Sequence, residues 1–111
     1  MYGSYHHISL MAGDERAIDE QQTIDTVVAG PLCESGDVFT QLEGGMVEPR
    51  AIPAAKVGDY LVFHDTGAYG ASMSSNYNSR PLIPEVLFEQ GQPREIRRAQ
   101  TIESLLALEI S

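Results

Sequence analysis

Apolar positions in this chain come in short runs broken by turn residues, a pattern of strands and not of long helices. Ser4 to Leu10 sets Ile8 and Leu10 two apart on one side, and Ile24 to Ala29 is rich in β-branched residues, so both predict strands. Between them runs an acidic connection, Gly13 to Gln22. Thr26 to Leu32 and Val38 to Gln41 also read as strand-like and flank a polar run that begins at Cys33. Met46-Val47 and Ala51-Ile52 bracket Pro49 and precede Pro53, which fits an edge strand or a loop because proline cannot donate to a ladder. A turn at Lys56-Val57-Gly58-Asp59 then leads into Tyr60-Leu61-Val62-Phe63-His64, a continuous apolar run and the strongest candidate for a core strand.

In the second half, Glu85 to Glu89 and Arg94 to Arg98 are joined by Gln90-Gly91-Gln92-Pro93 and predict an antiparallel hairpin with a polar edge strand. Thr101 can cap a short amphipathic helix running to Glu109, with Ile102, Leu105, Leu106 and Leu108 at helical spacing. Gly67 to Pro81 has the composition of a flexible loop, although Tyr69, Met73 and Tyr77 need something to pack on or bind. Frequent turns and no alternating helices predict a mainly β domain, a Greek-key-like β barrel or sandwich with one or two short helices.

The length, 111 residues, fits one domain with a single core. The net charge of -9 is uneven: nine acids face Arg16 alone before residue 50, whereas acids and bases nearly balance after it. Such a surface repels phosphate backbones, making nucleic acid and anionic membranes poor partners. The chain has no apolar run of membrane-spanning length and no basic flank of a secretion signal at its start, and its single cysteine suits a reducing compartment, so it reads as cytosolic.

The chemistry concentrates at Cys33-Glu34-Ser35-Gly36-Asp37, where a proton donor, a carboxylate and a turn residue share five positions. A thiol ordinarily carries its proton near neutrality and can donate it; a lone cysteine can equally be a buried structural thiol. Ionised, Glu34 only accepts hydrogen bonds and can pair with an ammonium group, or can remain a solvated loop carboxylate. Asp37 can hold the loop or form an interface ion pair. Neighbouring strand residues point to opposite faces, so His6 and His7 cannot jointly chelate one metal ion, and no metal site is expected. His64 reads as a strand-edge residue, and Arg94, Arg97 and Arg98 as a solvated face.

Four segments are specific enough to carry a resemblance: Met1-Tyr2 with the strand after it, Gly30 to Asp37, Asp65-Thr66-Gly67-Ala68-Tyr69-Gly70, and Met73 to Pro81. In order and spacing, over almost the whole length, they resemble the C-terminal β domain of the diaminopimelate decarboxylase family, pyridoxal phosphate enzymes of the alanine-racemase-like group. The resemblance implies that residues 1–111 are that C-terminal domain. It also implies that an N-terminal barrel, with the lysine that carries pyridoxal 5'-phosphate and a glycine-rich phosphate site, lies outside this sequence. The sole lysine, Lys56, sits in a turn and reads as solvated.

The resemblance further implies a lyase of lysine biosynthesis that converts meso-diaminopimelate to L-lysine and CO2 as a homodimer. Cys33 would be its general acid and Glu34 a substrate contact, both reaching across the dimer interface. Tyr69 would lie near cofactor phosphate and substrate, and Tyr2 would match a substrate-contacting tyrosine. The partners implied are the barrel domain, a second identical subunit and a small diamino acid. Two other readings stay open: an ornithine or arginine decarboxylase, which tends to have aspartate where Glu34 stands, and a non-catalytic dimerisation or binding module.

Overall fold

The computed structural model describes residues 5–110, which form two compact units, Met1–Ala68 and Tyr69–Ser111. In the first unit, β1 (Ile8–Met11) pairs antiparallel with β4 (Tyr60–Phe63), with Ile8 opposite Phe63 and Met11 opposite Tyr60. The second pair is β2 (Thr23–Thr26) with β3 (Arg50–Pro53), also antiparallel, with Ile24 opposite Ile52.

The alternation read in β1 is what buries it: Ile8 and Leu10 point inward, while Met11 is exposed. Ile8, Val28 and Ile52 form the core cluster, and Phe63 packs against it. Each such aliphatic side chain contributes about 1.5–3 kcal/mol on removal from water. Phe39 extends the cluster sideways, its ring 4.5 Å from that of Phe63. The most deeply buried side chain is polar: Thr40 is fully enclosed, and its Oγ1 accepts the N–H of Val28 at 3.0 Å. That bond meets the rule that a buried donor must find a partner.

Two expectations change here. The run Tyr60 to His64 is not the core strand: Tyr60 and Leu61 are exposed, and only Phe63 reaches the cluster. β4 pairs on one edge with β1, and its inward face is offered only at the Ile8 end. The barrel or sandwich is not a closed barrel among the described residues, whose strands form three separate two-stranded sheets. The segments between β2 and β3 make only single bridges, Ala29 with Val38 and Gln41 with Val47, so the ladders do not continue into one another. The mainly β character holds.

The second unit is built on the hairpin of β5 (Glu85–Glu89) and β6 (Gln92–Arg97). Its turn is tighter than the predicted connector, only Gln90 and Gly91, at φ 52° and 76°. Two successive positive φ values match the twist of a two-residue hairpin, and glycine adopts the second without strain. Arg94 and Arg97 pair with Glu89 and Glu85 at 3.6 and 3.8 Å, so this basic patch is largely matched within its own hairpin. The segment expected to be a flexible loop is turn structure: Met73 N–H donates to Tyr69 O, and Tyr77–Ser79 forms a 3₁₀ turn. Gln100 binds this region, its Oε1 accepting from Leu82 N–H at 2.9 Å and from Asn76 Nδ2 at 2.6 Å.

Helix α1 (Ile102–Leu105) starts where expected, with Thr101 Oγ1 accepting the N–H of Ser104 at 3.0 Å, but ends within one turn. Ile102, Leu106 and Leu108 are exposed, and so short a helix lacks the buried stripe that would extend it.

Candidate active-site loop

Cys33 lies on a loop whose base is a short antiparallel clasp. Phe39 N–H donates to Val28 O at 2.8 Å, Ala29 bridges Val38, and Gly30 N–H donates to Asp37 O at 2.9 Å. The buried Thr40 anchors the returning strand to Val28. The strand-like flanks read from the sequence are therefore these few rungs rather than two full strands, and they suffice to fix both ends of the loop.

Within the loop the backbone turns twice. Glu34 N–H donates to Leu32 O at 2.8 Å, a three-residue γ-turn with Cys33 at its centre. Asp37 N–H then donates to Glu34 O at 3.1 Å, closing a four-residue turn over Ser35 and Gly36. Glu34 Oε1 accepts the N–H of Gly36 at 2.8 Å, and Asp37 Oδ2 accepts that of Leu32 at 2.9 Å. Cys33 and Glu34 thus stand side by side at an exposed loop tip, at the surface of the chain. A thiol so placed can meet a reacting carbon brought by another molecule or domain, which a core thiol cannot.

Of the other predicted site residues, Tyr69 belongs to the second unit and is 63% exposed, with its carbonyl accepting from Met73 N–H. Tyr2 lies outside the described residues.

The three histidines converge where β1 begins and β4 ends. His6 Nδ1 lies 3.0 Å from His64 O, His64 Nε2 lies 2.8 Å from Ser9 Oγ, and the His7 and His64 rings stand 5.1 Å apart. His6 and His7 precede β1, so strand alternation does not govern them. Arg50 adds to this knot by donating to His6 O and covering the Tyr5 ring at 4.2 Å, a cation–π contact. No spacing along the chain signals this meeting. Thr40 and Gly30 were likewise outside the predicted site, whereas Asp37, read as holding the loop or forming an interface ion pair, does bind the loop backbone at Leu32.

Comparison with known proteins shows the family of the chain. The chain is 74% identical over 110 residues to the diaminopimelate decarboxylase of Escherichia coli K12, covering 99% of this chain and 26% of that relative. A crystal structure of a diaminopimelate decarboxylase superposes with a TM-score of 0.93 at 75% identity, over 97% of this chain and 26% of that one. The Helicobacter pylori diaminopimelate decarboxylase complexed with L-lysine superposes with a TM-score of 0.75 at 32% identity, over 95% of this chain and 23% of that one. The chain therefore spans about a quarter of the length of these relatives. Residues 1–67, nearly the whole of the first unit, match the family described as the pyridoxal-dependent decarboxylase C-terminal sheet domain. With the mainly β fold and the Cys33 loop in place, this chain belongs to the pyridoxal-dependent decarboxylases, as their C-terminal sheet domain.

Proposed function

We propose that this chain serves as the C-terminal domain of a diaminopimelate decarboxylase that converts meso-diaminopimelate to L-lysine and CO2. The observation that carries the reading is the exposed Cys33 at the centre of a hydrogen-bonded turn, beside Glu34, in a chain so similar to enzymes of that name. Pyridoxal phosphate, when bound, supplies the electron sink for loss of the carboxylate and leaves a carbon that must take up a proton.

The donor set of this chain fits a supporting part in holding that group. Its sole lysine, Lys56, is in a turn whose backbone N–H binds Asp59 at 2.8 Å, a structural placement. The exposed Tyr69 offers a hydroxyl suited to a phosphate or substrate oxygen. The cofactor's main seat then belongs to an N-terminal barrel domain beyond this sequence. Cys33 gives its proton to the substrate carbon, and Glu34 accepts the distal ammonium of the diamino acid, which selects a substrate charged at both ends. Tyr2 completes the substrate contacts. The family resemblance assigns Cys33 and Glu34 to the site of a second identical subunit in a homodimer, and their exposure at a loop tip is compatible with that reach. Among the described residues no helix is long and apolar enough to cross a membrane, in keeping with a cytoplasmic enzyme.

The test is CO2 release and L-lysine formation by the full-length protein, loaded with pyridoxal phosphate and offered meso-diaminopimelate, ornithine or arginine in turn. Turnover of meso-diaminopimelate in preference to the others is expected. A folded, loaded protein that leaves meso-diaminopimelate intact would overturn the reading.

A further inference from the structure

Asp37 takes no part in the proposed chemistry, yet its side chain makes the contact that closes the Cys33 loop. Its Oδ2 accepts the N–H of Leu32, the residue before Cys33, at 2.9 Å. The carboxylate lies directly against Gly30, where an added Cβ would overlap both oxygens and Cγ. Gly30 has no left-handed backbone angle, so glycine is required here for room and not for conformation. The Leu32 N–H is held by Asp37 and the Leu32 carbonyl by Glu34 N–H at 2.8 Å, which fixes the peptide planes on both sides of Leu32 and leads directly into Cys33. Few rotations are left between this frame and the thiol.

We infer that the Asp37 carboxylate, seated in the space left open by Gly30, is the positioning residue that aims the Cys33 thiol. This rests on the reading of Cys33 as proton donor in a decarboxylase. What the role requires of Asp37 is an acceptor oxygen at this place, not its charge. A carboxamide keeps that acceptor; a methyl does not. An interface ion pair, the other role open to Asp37, has the opposite requirement.

The experiment uses the full-length enzyme with pyridoxal phosphate and meso-diaminopimelate. Asp37→Ala should lower kcat by roughly tenfold to a hundredfold, the scale on which misplacement of a reacting group by about 1 Å acts. The solvent deuterium isotope effect on kcat should rise with it, because delivery from a misaimed donor becomes the slow step. A merely unfolded fraction lowers kcat and leaves the isotope effect where it was. Asp37→Asn should recover turnover to within about threefold of the parent. Gly30→Ala, which keeps Asp37 but fills its seat, should resemble Asp37→Ala. Amide exchange at Leu32 gives a readout independent of activity: faster in Asp37→Ala, near the parent rate in Asp37→Asn. Parent-like isotope effects in Asp37→Ala, an Asn variant as impaired as Ala, or unchanged Leu32 exchange would each overturn the inference. Should the parent enzyme fail to act on meso-diaminopimelate, the proposed function falls while Leu32 exchange still reads the clamp.

Discussion

Arg16 and Asp59, 43 residues apart, meet in a two-pronged ion pair: Nη1 donates to Oδ1 at 2.8 Å and Nη2 to Oδ2. The Asp59 side chain is only 3% exposed and also accepts from the backbone N–H groups of Gly13 at 3.0 Å and Lys56 at 2.8 Å. One carboxylate thereby joins the start of the acidic β1–β2 connection to the turn that feeds β4. The planar guanidinium fork suits this geometry as a lysine ammonium would not.

A pH dependence follows from this pair. The Arg16 guanidinium first, then the Gly13 and Lys56 N–H groups, hold the Asp59 carboxyl far below the usual carboxylate range. A folded-state affinity for protons lower than the unfolded one stabilises the fold above the ordinary carboxylate range, and that contribution is lost as pH falls through and below it. Thermal unfolding of the parent and Asp59→Asn should therefore differ most near neutrality and converge on acidification from roughly pH 5 downward. A constant gap between the two across that range would contradict the assignment.

Thr40→Val should be costly despite its nearly unchanged shape. It removes the acceptor for the Val28 N–H inside a fully buried site, a loss of about 1–3 kcal/mol. Chemical denaturation would measure it. Because Val28 and Phe39 form the base of the Cys33 loop, turnover should fall as well.

At the centre of the first unit, Ile52→Ala should cost about 2–5 kcal/mol, since Ile52 is 3% exposed and shares a cluster of few members with Ile8 and Val28. Denaturant midpoints of the parent and variant would show this. A shift equivalent to less than about 1 kcal/mol would mean that the site collapses around the missing atoms.

The proton-donor role predicts that Cys33→Ala lowers kcat in the full-length enzyme by roughly 10² to 10⁴. The exposed position makes the substitution a mild one for folding, so parent-like thermal stability should accompany the loss. Unchanged turnover would remove the thiol from the mechanism.

For Glu34, the distal-ammonium role predicts that Glu34→Gln lowers kcat/KM for meso-diaminopimelate by roughly tenfold to a hundredfold, the worth of one hydrogen bond to a charged group. The amide oxygen of glutamine can still accept the Gly36 N–H, which preserves the loop turn. Substrate kinetics on both forms would separate lost charge from lost loop shape.

Read along the chain, the residues were enough to locate the hairpin of β5 and β6, though not its tight two-residue turn, together with the Thr101 cap and the turn-rich run from Cys33 to Asp37. Each is decided within about four residues by backbone angles and nearby donors and acceptors, which local chemistry dictates wherever the segment finds itself. The family resemblance rested on four short segments, of which Gly30 to Asp37 contains that run. Tertiary structure alone decided that Asp59 meets Arg16, that a threonine is the most enclosed side chain, that three histidines share one corner, and that the most apolar run lies half outside the core. Those outcomes depend on which distant segments come together, and burial and charge pairing belong to the assembled surfaces rather than to any residue's neighbours in the chain.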